Sequence, residues 1–303
     1  MPRQEFVLIL VFLACACKGA EKRTTGAATA DSAAAKVAAS LDTVVLVGAG
    51  DIADCQEDGD EQTARLLDSI PGTVFTAGDN AYRSGTDAEF QACYVPSWGR
   101  HRARTRPSPG NHDFRSSEGA PYFAYYGAGA GESGRGYYSY DLGAWHIISL
   151  NSNIDMKPGS PQERWLRDDL AATGARCVLA YWHHPRFSSG TEHGNAPKTA
   201  PLWQALYDAG ADVVLAGHEH NYERFAPQTP AGAADSVRGI REFVVGTGGA
   251  DHYPFGPPIA NSEVRIVDTW GVLKLTLEPG AYRWQFIPVA GKTFGDSGSA
   301  RCH

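Results

Sequence analysis

The 303-residue chain is 43% apolar and 20% charged with a formal net charge of -7, which is the composition of a globular protein with one large domain or two small ones. Taking away the five basic and three acidic residues of positions 1–41 leaves 22 basic and 31 acidic residues, a net charge of -9. That balance argues against a nucleic-acid backbone as the main partner. It leaves a small phosphate substrate open, because bound cations dominate the field inside a metal site.

Arg3 precedes Phe6–Ala16, an apolar run of 11 residues. That is too short for a membrane span and has the form of a signal-peptide core, so residues 1–17 are expected to direct export. Ala14-Cys15-Ala16-Cys17 resembles a bacterial lipoprotein processing site, so a lipid anchor and simple secretion both fit a periplasmic or extracellular protein. Residues 18–41 are rich in Ala, Thr, Ser and Lys without a helical or strand stripe and read as a flexible linker. Residues 42–303 form the expected folded domain.

Leu41–Val47 is a β-branched run ending in Gly48-Ala49-Gly50-Asp51, a strand and then a loop. Asp60–Ile70 has an acidic first turn, apolar positions at Ala64, Leu66, Leu67 and Ile70, and a stop at Pro71, which predicts a helix. Thr73–Ala77 is the second strand and delivers Gly78-Asp79-Asn80-Ala81-Tyr82, so the chain opens with a β-α-β unit. Residues 83–121 read as irregular and contain Pro109-Gly110-Asn111-His112-Asp113.

Strands follow at Gly136–Leu142 and Ala144–Leu150, and a helix at Pro161–Ala172. The strand Cys177–Trp182 delivers His183-His184-Pro185, and after a helix at Pro201–Ala209 the strand Ala211–Ala216 delivers Gly217-His218-Glu219-His220. Further strands are expected at Arg241–Val245, Val264–Asp268, Val272–Leu277 and Tyr282–Ile287. Gly246-Thr247-Gly248-Gly249 has no helix after it and reads as a turn rather than a phosphate cradle. The simplest architecture is one α/β domain of two sheets with flanking helices. Cys55, Cys93, Cys177 and Cys302 allow three pairings. Cys55–Cys93 with Cys177–Cys302 is favoured, since the second bond would pin the C-terminal tail; buried free thiols are the alternative.

Five strand ends therefore carry metal-competent side chains: Asp51, Asp79 with Tyr82, Asn111 with His112, His183 with His184, and His218 with His220. Singly, an Asp after Gly is an ordinary turn former and a lone His is usually structural. His218-x-His220 is stronger, because period two on extended backbone points both imidazoles the same way. Two Asp, an Asn, a Tyr and three His exceed one coordination sphere, which favours two metals held about 3.5 Å apart by a bridging carboxylate. A phenolate suits Fe(III), and the remaining donors suit Zn, Mn or Fe(II).

These motifs, Gly-Asp51, Gly-Asp79-x-x-Tyr82, Gly-Asn111-His112-Asp113, His183-x-Pro185 and Gly-His218-x-His220, occur in the order found in purple acid phosphatases, and the chain resembles that family of metallophosphoesterases over roughly residues 43–226. The resemblance implies a four-layer α-β-β-α sandwich of two mixed sheets flanked by helices. It implies a Fe(III) site of Asp51, Tyr82 and His220, a divalent site (Zn, Fe or Mn) of Asn111, His183 and His218, and Asp79 as the bridge. It further implies hydrolysis of a small phosphate ester by metal-activated hydroxide, with His112 protonating the leaving group, Asp113 orienting His112, and His193 touching substrate. Arg83 and Arg224 read as surface salt-bridge partners rather than phosphate contacts, Tyr222 as packing beneath His218 and His220, and His184 as a hydrogen-bonding support. An acid phosphatase acting on monoesters is the leading expectation. A phosphodiesterase or nucleotidase on the same scaffold, and a surface binding protein with a degenerate site, are its rivals.

Overall fold

A computed structural model describes residues 43–303; the expected signal and linker segments, with Cys15 and Cys17, lie outside the described residues. In chain order the elements are β1 (Val44–Ala49), α1 (Gly59–Ser69), β2 (Thr73–Ala77), α2 (Asp87–Glu89), β3 (Thr105–Ser108), α3 (Asn111–Arg115), α4 (Ala120–Tyr126), β4 (Tyr138–Leu142), β5 (Trp145–Ser149) and α5 (Pro161–Ala172). They continue with β6 (Cys177–Tyr181), α6 (Ala200–Asp208), β7 (Val213–Ala216), β8 (Tyr222–Phe225), β9 (Arg241–Val245), β10 (Ser262–Ile266), β11 (Gly271–Glu278), β12 (Ala281–Pro288) and β13 (Ser297–Arg301). Local chemistry sets several of these boundaries. Asp60 and Glu61 favour the positive end of α1, and the helix stops before Pro71. Ser160 accepts a hydrogen bond from the Glu163 amide and Pro161 opens α5.

The strands form a six-stranded sheet, β13-β12-β11-β1-β2-β3, and a seven-stranded sheet, β10-β8-β9-β7-β6-β5-β4. In the first, β1, β2 and β3 run parallel beside an antiparallel β11-β12-β13 meander. In the second, β5, β6, β7 and β9 run parallel, with β4, β8 and β10 added antiparallel. Aromatic pairs join the two sheets face to face: Phe75 with Tyr181 at 5.9 Å, Trp145 with Tyr282 at 5.7 Å, and Phe243 with Trp284 at 5.8 Å between ring centroids. On the outer face of the second sheet, Ile148, Val178 and Ala180 pack with Leu166 of α5 and Leu202 and Trp203 of α6. Two mixed sheets with helices outside make the four-layer α-β-β-α sandwich that the resemblance implied.

The structure departs from expectation in the short elements. Thr105–Ser108, inside the segment expected to be irregular, forms β3, and its Pro107 is tolerated because the strand lies at the sheet edge. β8 and β13 were not expected, being only four and five residues long and rich in charged or small side chains. Tyr222 does not pack beneath His218 and His220. Its ring meets Phe286 at 4.5 Å in the intersheet core and its hydroxyl donates to Asp296 at 2.6 Å. The disulfides are Cys55–Cys93 and Cys177–Cys302, with Cα separations of 5.3 and 5.4 Å, within the ordinary range for such bonds. The second ties β6 to the segment after β13.

Away from the strand ends that concern function, His146 of β5 links the β4–β5 hairpin to α5. Its Nδ1 lies 2.9 Å from Asp141 Oδ1 and its Nε2 2.8 Å from Asp169 Oδ2. The Asp169 hydrogen bond raises the imidazole pKa against the opposing effect of burial, and Asp141 adds to the rise. A raised pKa in the folded state gives stability that is complete below about pH 6.5 and is lost as pH climbs through the raised value. His146→Gln is therefore expected to lower unfolding free energy by roughly 1 kcal/mol at about pH 5.5, with the gap narrowing toward about pH 9. Urea unfolding of both proteins across this range measures it, and a gap that stays constant with pH contradicts it.

Candidate metal centre

All the parallel strands of each sheet point their carboxyl ends at one edge, and the sequence sets a side chain just past each end. Asp51, Asp79, His183 and His218 each stand two residues beyond β1, β2, β6 and β7, and Asn111 opens α3 shortly after β3. Asp51, Asp79 and His218 adopt positive φ values of 60°, 49° and 72°, a conformation that costs a non-glycine residue free energy and turns the chain sharply at a strand end. Glycine neighbours make room for the approach. A Cβ on Gly110 would lie 2.0 Å from Asp79 Oδ1, and one on Gly217 would lie 2.4 Å from Asp51 Oδ2.

The result is a buried cluster in two linked groups. The Tyr82 hydroxyl lies 3.0 Å from Asp51 Oδ1, 3.1 Å from Asp79 Oδ2 and 3.0 Å from His220 Nε2. On the other side His183 Nε2 lies 3.0 Å from Asn111 Oδ1 and 3.1 Å from His218 Nδ1. Asp79 touches both groups, because its Oδ2 is also 3.2 Å from His183 Nε2. The remote nitrogens are committed elsewhere: His183 Nδ1 donates to the Ala77 carbonyl at 2.8 Å, and His220 Nδ1 to the Asp251 carbonyl at 2.6 Å. Each Nε2 therefore faces the cluster. His184, as expected, supports from outside, with its Nδ1 2.7 Å from Ser152 Oγ.

Charge is the unusual feature. Asp51 and Asp79 are 0% and 1% exposed, and among the described residues neither is paired with Lys or Arg. Burial opposes charging of His183 and His220, yet Asp79 and Asp51 raise the first to about 9, and Asp251 and Asp51 raise the second to about 10. Burial also favours a neutral Asp79, but His183 and His112 hold its carboxyl well below the usual range. Burial, Asp51 and Asp79 push the Tyr82 phenol far up. Protons thus stand where positive charge is needed. Carboxylate, phenol, amide and imidazole donors converging at hydrogen-bond distances without a fixed cation fit first-row metal ions. The ligand atoms of Asp79, His183 and His218 lie within 4.8 Å of one another.

The three residues given roles beside the metals fall in different places. His112 sits over Tyr82, ring centroids 4.5 Å apart, with Nδ1 donating to the Arg83 carbonyl at 2.7 Å and Nε2 3.8 Å from Asp79 Oδ2. Asp113 does not orient it. Its carboxylate accepts from the Gly110 amide at 2.8 Å and from the Asn80 amide and side chain at 3.1 and 2.9 Å, so it braces the loops carrying Asp79 and Asn111, while the Arg83 carbonyl sets the His112 ring. Burial and Asp79 raise the Asp113 pKa to about 7. His193 lies at the rim, stacked on His218 with centroids 3.9 Å apart. Arg83 pairs with Asp54 at 3.1 Å and Arg224 with Asp296 at 2.7 Å; both are salt bridges as expected, but the Arg224 pair is largely buried rather than at the surface.

Tyr253 and Asp251 were not anticipated. Tyr253 lies flat on His220, centroids 3.8 Å apart, and meets His193 at 5.7 Å. The glycine-rich segment before them bends without opening a helix, as expected, and is tied to the loop after β1 by Gly248 N to Gly50 O at 2.9 Å and Ala250 N to Asp51 O at 3.0 Å. The available signal was that this segment leaves β9, a further parallel strand ending at the same edge.

A family model described as calcineurin-like phosphoesterase matches residues 42–222. Purple acid phosphatase 15 of Arabidopsis thaliana is 29% identical over 198 residues, covering 53% of this chain and 37% of the relative. Purple acid phosphatase 21 of the same plant is 30% identical over 189 residues, covering 54% and 42%. The chain thus spans less than half the length of these curated relatives. Among solved structures, the purple acid phosphatase PPD1 of yellow lupin (Lupinus luteus) has a TM-score of 0.70 at 19% identity, covering 86% of this chain and 54% of that one. GAP50, described as the anchor in the inner membrane complex of Plasmodium, has a TM-score of 0.66 at 13% identity, covering 86% and 89%. These structures share the fold, and the family match over most of the sequence makes this chain a member of the calcineurin-like phosphoesterase family.

Proposed function

We propose that the chain is a dinuclear-metal phosphohydrolase of the acid phosphatase type that hydrolyses small phosphomonoesters. The observation carrying this reading is the pair of buried donor groups that share Asp79 and, among the described residues, have no Lys or Arg partner. Asp51, Tyr82 and His220 would hold Fe(III), Asn111, His183 and His218 a divalent Zn, Fe or Mn ion, and Asp79 both. Bound there, the two cations would compensate the charge of the phosphoryl oxygens and acidify a water to serve as nucleophile near neutral pH. The remaining work belongs to side chains. His112, tied through Nδ1 to Arg83, keeps Nε2 directed at the cluster and delivers a proton to the departing alkoxide. His193 and Tyr253 border the approach and orient the ester. GAP50 shares the fold under a different description, so this reading rests on the donor set rather than on the fold. The described residues contain no helix long and apolar enough to cross a membrane. Export by residues 1–17, with or without a lipid anchor, and a catalytic domain at 42–303 complete the proposal.

The first test concerns metals. Because His183 and His220 hold protons up to about pH 9 and 10 without metal, coordination must release them, and Zn²⁺ affinity should rise steeply with pH, by roughly tenfold per unit between about pH 6 and 8. Competition titrations at both pH values measure this; equal affinities would remove these nitrogens from the ligand set. The second concerns iron. Phenolate on Fe(III) gives a visible charge-transfer band, which Tyr82→Phe should abolish while the protein stays folded. A colourless, iron-free and fully active protein would overturn the iron assignment. The third concerns substrate. Phosphate release should favour monoesters over diesters and nucleotides, and His112→Ala should lower kcat by about 10²-fold or more at unchanged metal content. Activity confined to diesters would replace this reading with a phosphodiesterase.

A further inference from the structure

Between His183 and α6, residues 186–194 cross the edge of the second sheet without forming regular structure of their own. Their backbone amides are met by three buried glutamates from beneath. Glu242 of β9 accepts from the amides of Arg186 at 2.8 Å and Phe187 at 3.0 Å. Glu223 of β8 accepts from the Ser189 amide at 2.7 Å and from the hydroxyls of Ser189 and Ser262 at 2.5 and 2.6 Å. Glu219 accepts through one oxygen, Oε1, from the amides of His193 at 2.7 Å and Gly194 at 2.5 Å. All three side chains are 0% exposed.

Glu219 differs from the other two. It sits between His218 and His220, and the left-handed turn at His218 (φ 72°) sends its side chain to the loop while the imidazoles serve the cluster. Its second oxygen, Oε2, is buried with no hydrogen-bond partner among the described residues, a cost that folded proteins rarely carry without a compensating use. Gly190 closes over it: a Cβ there would lie 2.2 Å from Glu219 Cδ. The same loop is joined to the Tyr253 segment by a bridge between Gly190 and Phe255 and by Thr191 N to Pro254 O at 3.1 Å.

We infer that Glu219 is a positioning residue: by capturing the His193 and Gly194 amides it sets where the His193 ring stands over His218, and so fixes one wall of the ester-binding cleft. Glu223 and Glu242 hold the upstream part of the loop, so the placement of His193 follows from Glu219 rather than from general loop order. The substrate half of this inference rests on the proposed phosphoester reading; the placement of the loop does not.

The test compares Glu219→Ala, Glu219→Gln and Gly190→Ala in the full folded chain, each with metal content measured. Glu219→Ala should accelerate amide hydrogen exchange at His193 and Gly194 by roughly tenfold or more while Arg186 and Phe187 stay protected. With para-nitrophenyl phosphate as probe it should raise KM by roughly tenfold and change kcat far less. Glu219→Gln, whose amide oxygen still accepts both bonds, should restore exchange and KM. Glu219→Ala combined with His193→Ala should show the KM of His193→Ala alone. If Glu219→Ala does not fold, Gly190→Ala, which crowds the carboxylate and leaves every polar group in place, is expected to reproduce its exchange and KM changes. Unchanged exchange at His193, additive effects in the double variant, or loss of metal in Glu219→Ala would overturn the inference. A wild-type protein that releases no phosphate from any ester would instead remove the activity, and the exchange measurements would still decide the placement.

Discussion

Two carboxylates, Asp51 and Asp79, are withdrawn from water at the meeting of two sheet edges, with no lysine or arginine among the described residues to balance them. Isolated charges in such a place would cost several kcal/mol each, so the surroundings must supply positive charge. Three imidazoles and a phenol close around the pair, and protons or metal ions complete the balance. Much of the local structure follows from this one requirement. The positive-φ turns at Asp51, Asp79 and His218 bring the donors inward, the glycines beside them vacate the space that a Cβ would fill, and backbone carbonyls of Ala77 and Asp251 direct the histidine rings.

The sandwich gives these turns something rigid to stand on. Parallel strands in each sheet align their carboxyl ends, and the aromatic seam between the sheets holds the two edges together. Phe75, one residue from the start of the Thr76-Ala77-Gly78-Asp79 descent, packs on Tyr181, which lies two residues before His183. A shift of one sheet against the other would therefore move a carboxylate away from an imidazole, and dense intersheet packing resists such shifts. Asp113 plays a comparable part within one sheet, binding the Gly110 and Asn80 amides so that the loops after β2 and β3 move as one.

Around the cluster, neighbouring acidic residues serve different ends. Asp251 orients a ring, Asp113 braces two loops, and Glu219, Glu223 and Glu242 bind backbone amides of a segment that has no sheet partner for most of its length. A carboxylate that accepts two amide hydrogens can replace a missing strand, which explains how an irregular segment beside the cluster keeps a defined shape.

Residue chemistry at short range was readable directly. The Gly-Asp and His-x-His endings, the acidic first turn and Pro71 stop of α1, and the alternation of apolar runs with turns located most strands and every member of the candidate ligand set, because each depends on neighbours a few positions away. The even cysteine count likewise called for bonds. What the chain could not state locally was decided by packing: β3 persists despite Pro107 because it lies at an edge, Asp113 turns from His112 toward two backbone amides, Tyr222 faces the intersheet core, and Tyr253 arrives on His220 from 33 positions along the chain. Such contacts join residues remote in sequence, and their partners are chosen by the geometry of the closed sandwich. The sequence alone determined which donors stand at the strand ends; the tertiary structure decided which of them meet, and which side chains hold them there.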